Sequence, residues 1–97
     1  MSSFDDRRAW ALHPRVALRP EPFGALAYHF GTRRLSFLKH PLLVRVVQGL
    51  AEHPSAAAAC TAAGVPDDHL EQFATALATL ADTGMIVERG ADRMVAG

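Results

Sequence analysis

Between Lys39 and Pro41 the apolar residues of this 97-residue chain change their spacing. Before that point they recur at every second residue, as Val16 and Leu18 do between Arg15 and Arg19. After it they recur at every third or fourth, as Leu43, Val46, Val47 and Leu50 do. A period of two belongs to a strand with one buried face, and a period of 3.6 to an amphipathic helix. One such change in a chain this short limits the fold to a sheet followed by helices, packed around a single core.

Three strands are expected. Arg15 to Arg19 alternates, and Pro20-Glu21-Pro22-Phe23-Gly24 breaks the run because prolines remove donors and glycine permits a turn. This stretch reads as a long connection, which leaves room for strand exchange between copies. Ala25 to Phe30 and Arg33 to Leu38 then flank Gly31-Thr32, a two-residue hairpin signal of the type II′ kind. With Phe30 opposite Arg33, Tyr28 faces Leu35 and Leu26 faces Phe37. Leu26, Tyr28, Phe30, Leu35 and Phe37 then share a face, expected to be the core, while Ala27, His29, Arg34 and Ser36 meet water.

Three helices follow. Pro41 suits a first turn, so residues 41 to 52 read as a helix that His53-Pro54 ends. Ser55 is expected to cap a short alanine-rich helix running to about Ala63, with Gly64 left-handed beyond it. Asp67 or Asp68 is expected to cap the third helix, with Glu71 completing a capping box. Leu70, Phe73, Ala74, Leu77, Leu80 and Ala81 form its apolar stripe, Gly84 stops it, and Met85-Ile86-Val87 is a short extended piece. Residues 1–9 are expected to be mobile and 89–97 to fray. The domain is therefore 10–88, an α+β fold of winged-helix type with a three-stranded antiparallel sheet followed by three α-helices.

A hydrophobic fraction of 49% against 21% charged residues supports a real core. Zero net charge conceals a dipole: residues 1–48 hold eight Lys and Arg against three Asp and Glu, a net of +5, and residues 49–97 hold two against seven, a net of −5. Cys60 is the sole cysteine, which excludes an internal disulfide. No apolar run approaches the roughly 18 residues of a membrane span, and the N-terminal stretch lacks a signal-peptide core, so a cytoplasmic protein that contacts no membrane is expected.

Catalysis is not expected. The histidines at 13, 29, 40, 53 and 69 include no pair at i, i+3 or i+4, so metal-ligand spacing is missing, and neither metal nor cofactor is expected. Cys60 has no basic neighbour in sequence to activate it and reads as a small packing residue. No phosphate-binding, dinucleotide or nucleophile-elbow motif occurs. A DNA-binding winged helix is the alternative, because helix, glycine turn and longer helix give the helix-turn-helix outline. Charge opposes it: no Lys or Arg lies between Gly49 and Glu88, and the would-be recognition helix opens with Asp67, Asp68 and Glu71, so no nucleic-acid partner is expected. A peptide module is the third class, since the strand from Arg33 to Leu38 offers an edge to an extended partner. Arg33, Arg34 and Lys39 beside that edge read equally as guards against aggregation.

The stretch from Trp10 to Leu38, above all Tyr28-His29-Phe30-Gly31-Thr32-Arg33-Arg34-Leu35-Ser36-Phe37-Leu38, resembles the small chaperones of mycofactocin biosynthesis, and the similarity runs over roughly residues 4–87. These are PqqD-like peptide-recognition domains, also called RiPP recognition elements. The resemblance implies a non-catalytic chaperone that binds the leader of a ribosomally made precursor peptide. It presents that precursor, whose C-terminal Val-Tyr is modified, to a radical S-adenosylmethionine enzyme. In such domains the leader adds antiparallel to the third strand, in a groove beside the third helix. On this chain the resemblance places the peptide against Arg33, Arg34, Leu35, Ser36, Phe37 and Leu38, with Leu70, Phe73, Ala74 and Leu77 across the groove. Those helix residues read equally well as core.

Overall fold

The computed structural model describes residues 4–89. Five strands and three helices follow one another: β1 (Trp10–Leu12), β2 (Val16–Glu21), β3 (Gly24–His29), β4 (Leu35–Leu38), α1 (Pro41–Gly49), α2 (Ala56–Ala63), α3 (Leu70–Asp82) and β5 (Ile86–Glu88). The β2, β3 and β4 strands form a three-stranded antiparallel sheet in that order, and β1 pairs with β5 in a separate two-stranded ribbon. The fold is α+β, with the sheet preceding the three helices as expected. Met85-Ile86-Val87 gains its partner from β1, which period-two reasoning did not separate from the lead-in. Any fraying beyond Arg89 lies outside the described residues.

Leu26 stands opposite Phe37 and Tyr28 opposite Leu35, as the alternation predicts, but the expected burial is inverted. Phe30, Leu35 and Phe37 are 57%, 56% and 60% exposed, and Leu26 and Tyr28 are only partly covered. The core face carries Ala25, Ala27, His29 and Leu38, all buried, with Ser36 half-buried; Arg34 is exposed. The reason is steric. Helix α1 packs on β3, and its Leu43, Val46 and Val47 bring the bulk, so the strand beneath is best filled by alanines.

Two turns also differ from expectation. The β3–β4 connection is a five-residue loop, Phe30 to Arg34, closed by the Arg33 N–H donating to the His29 carbonyl at 2.7 Å, with Arg33 left-handed at φ 63°. The two-residue turn is displaced because the His29 ring organises the loop: its Nδ1 accepts the N–H groups of Gly31 and Thr32 at 2.9 and 3.1 Å. A Cβ on residue 31 would lie 2.8 Å from that ring. The β2–β3 connection is shorter than expected. Pro20 lies within β2, an edge strand where proline is tolerated, and Glu21 pairs with Gly24 around Pro22-Phe23.

Leu43, Val46, Val47 and Leu50 are buried as their spacing requires, although α1 tightens to a 3₁₀ turn over Leu50–Glu52. The Ser55 hydroxyl caps α2 by accepting the Ala58 N–H at 3.0 Å, and Gly64 ends it at φ 93°. Helix α3 differs: Asp67–His69 form a 3₁₀ turn, the helix starts at Leu70, and no side chain caps it, so the expected capping box does not form. Where a mobile lead-in is expected, Trp10 Nε1 donates to the Asp5 carbonyl at 2.8 Å, and the Asp6 and Arg8 carbonyls accept from the N–H groups of Ala57 and Ala56.

Candidate functional site

Strand β4 lies at the edge of its sheet, paired with β3 on one side and, among the described residues, with no strand on the other. Hydrogen-bonded and non-bonded pairs alternate along an antiparallel ladder. The His29 N–H donates to the Arg34 carbonyl at 2.9 Å, so the bonded pairs continue at Ala27–Ser36 and Ala25–Leu38. The backbone N–H and C=O groups of Leu35 and Phe37 therefore point outward along the free edge. Ser36 points its N–H inward.

Between this edge and α3 lies a hollow of about 330 Å³. Leu35 to Leu38 form one wall, Ala76, Thr79 and Leu80 the other, and Leu43 of α1 contributes from below. A second hollow of about 450 Å³ adjoins the N-terminal end of α3, lined by His40, Leu42, Pro66, His69, Gln72 and Phe73. In it the rings of His40 and Phe73 meet edge to face, 5.4 Å apart. No Lys, Arg, Asp or Glu lines either hollow. Arg33, Arg34 and Lys39 lie outside both, and Asp67, Asp68 and Glu71 are exposed at the start of α3.

The structure thus brings Leu35, Ser36, Phe37 and Leu38 to one hollow and Phe73 to the other. Arg33 and Arg34 belong to the preceding loop rather than to the strand, which begins at Leu35. Leu70, Ala74 and Leu77 line neither hollow. Leu77 is completely buried in the core, Leu70 is half-buried against it, and Ala74 is half-buried. At 100° per residue, Ala76 and Thr79 lie about 100° and 160° around the helix from Leu77, on the side turned to β4. Sequence reasoning missed them because the apolar stripe marks the core side alone. A small Ala76 and a half-polar Thr79 beside that stripe are the residual signal.

Titratable groups near the sheet are structural. The His13 and His29 rings meet at 4.4 Å, tilted by 46°, and the His13 Nδ1 accepts the Arg15 N–H at 3.0 Å. Partial burial, with the nearby His29 and Arg15, holds the His13 pKa below the usual 6.5. Cys60 is buried, and burial pushes its thiol up, away from reactivity. Among the described residues no group of three His, Cys, Asp or Glu could hold a metal ion. No helix among them is long and apolar enough to cross a membrane.

Three curated proteins are similar to this chain, each named peptide chaperone MftB. That of Mycobacterium ulcerans is 53% identical, with 94% of this chain and 84% of the relative covered. That of Mycobacterium tuberculosis is 54% identical, covering 91% and 81%. That of Mycolicibacterium smegmatis is also 54% identical, covering 88% and 83%. No solved structure gives a significant match. The profile of the peptide chaperone MftB family matches residues 9–87, a span that begins just before β1 and ends inside β5. With the profile covering every helix and the sheet, and identity above one half over nearly the whole chain, this protein belongs to the peptide chaperone MftB family.

Proposed function

We propose that this chaperone binds the leader of the mycofactocin precursor peptide as an added strand along β4 and presents it to a radical S-adenosylmethionine maturation enzyme in the cytoplasm. The outward N–H and C=O groups of Leu35 and Phe37, bordering an apolar-walled hollow, carry this reading. An extended peptide takes main-chain hydrogen bonds from such an edge and places alternate side chains in the adjoining space. Residues 33–38 contribute the strand side. Phe73, Ala76, Thr79 and Leu80 contribute the helix side in preference to Leu70, Ala74 and Leu77, which line neither hollow. The role needs no group that makes or breaks bonds, as the name chaperone implies for the relatives.

Calorimetric titration with a synthetic precursor peptide, beside a duplex DNA control, tests the proposal. Saturable peptide binding with no duplex binding is expected. Submicromolar duplex affinity without peptide binding overturns it.

A further inference from the structure

The outer face of the three-stranded sheet carries Phe23, Leu26, Tyr28, Phe30, Leu35 and Phe37. Phe23 and Phe37 meet edge to face at 6.0 Å, and Tyr28 and Phe30 do so at 4.9 Å. Four large apolar side chains lie between 41% and 60% exposed on this one surface. Scattered exposed apolar residues need no explanation, but a contiguous aromatic patch marks a surface that something covers.

We propose that this face is the docking surface for the maturation enzyme, whose complementary surface is apolar at the centre and bordered by carboxylates. The inference rests on the peptide-presentation reading given above. Charge selects the partner. Glu21 is the only acidic residue between Asp6 and Glu52, whereas Arg15, Arg19 and Lys39 are all exposed in that interval. Arg19 stands opposite Leu26 and so shares the aromatic face, but Glu21 pairs with it at 3.2 Å, which leaves Arg15 and Lys39, the latter two residues beyond Phe37, as the cations a partner's carboxylates would meet. A second copy docked through the same face would set these cations against themselves, which disfavours self-association. Aromatic residues with arginine, as found here, are enriched at protein interfaces.

Geometry adds a second reason. A strand added to β4 extends the sheet, so half of its side chains emerge on this same face beside Leu35 and Phe37. An enzyme seated there touches chaperone and peptide together. Linkage then requires that peptide raise enzyme affinity by the factor by which enzyme raises peptide affinity.

The test uses the full chain carrying Phe30→Glu, outside β4 and in ring contact with Tyr28 of β3, with circular dichroism confirming the fold. The probes are a synthetic precursor peptide and the purified radical S-adenosylmethionine enzyme of the mycofactocin system. Enzyme affinity is expected to fall more than about tenfold while peptide affinity stays within about twofold. A separate Arg15→Glu, Lys39→Glu variant is expected to weaken the enzyme and leave the peptide unaffected. Unchanged enzyme affinity in both variants overturns the proposal. So does a wild-type protein that binds peptide but not enzyme. Loss of binding to anionic phospholipid vesicles, or of a dimer in sedimentation equilibrium, with enzyme binding intact, also overturns it and identifies the true occupant. Wild-type protein that docks the enzyme through this face but binds no peptide removes the peptide reading and leaves the docking surface standing.

Discussion

Leu35 stands opposite Tyr28 at a non-hydrogen-bonded position of the β3–β4 ladder, so its backbone N–H is turned to the open edge while its side chain is 56% exposed. This one residue can lose its donor without a loss of core packing. It is also the first residue of its strand, where proline is best tolerated. Leu35→Pro is therefore expected to weaken precursor-peptide binding by about 1 to 3 kcal/mol, roughly 5- to 150-fold, with little change in melting temperature. Ser36→Pro, in contrast, removes a bond inside the sheet and should lower stability. Unaltered peptide affinity in a folded Leu35→Pro protein would mean that the peptide lies elsewhere.

Helix α3 divides into two functions by angle. Ala76→Phe fills the hollow beside β4 and is expected to reduce peptide affinity by about tenfold or more, at nearly constant stability. Leu77→Ala removes a completely buried side chain and should cost about 2 to 5 kcal/mol of stability. Denaturant titration and calorimetry on both variants check the division. Equal effects of the two substitutions on peptide affinity would contradict it.

Salt distinguishes a peptide from a nucleic acid. With no Lys, Arg, Asp or Glu lining either hollow, raising salt from about 50 to 200 mM is expected to weaken peptide binding less than about tenfold, since exposed pairs contribute only about 0.2 to 1 kcal/mol each. A duplex held by about 6 to 10 phosphate contacts would lose roughly a thousandfold or more over the same range. Titrations at the two concentrations decide between them.

His13 makes stability depend on pH in a set direction. Its folded pKa is below the usual 6.5, first through desolvation and then through His29 and Arg15, so the folded state resists its protonation more than the unfolded state does. The corresponding stabilisation is present above pH 6.5 and declines as pH falls from there towards the lower folded value. Urea unfolding at about pH 7.5 and 5.5 is expected to show a larger acid loss for the wild type than for His13→Gln. An equal loss in both proteins would remove His13 from the account.

The sequence by itself determined the order of the main sheet and its helices, the Leu26–Phe37 and Tyr28–Leu35 pairs, and the ends of α2 at Ser55 and Gly64. These follow from local spacing and from the backbone needs of single residues, and both are written in the chain. The tertiary structure alone decided which face of β3 meets the helices. Alternation says which residues share a face, but Ala25 and Ala27 on one side and Leu26 and Tyr28 on the other are all apolar enough to be buried. The choice is made by volume: α1 brings Leu43, Val46 and Val47 against the sheet, Gly24 approaches the Leu38 carbonyl so closely that a Cβ would lie 2.1 Å from it, and only the alanine face leaves space for both. The same reason hid Ala76 and Thr79. Ala76 packs on the margin of the core and Thr79 is exposed, so this helix side is only partly filled and need not be apolar, and the pattern records only the side that is filled.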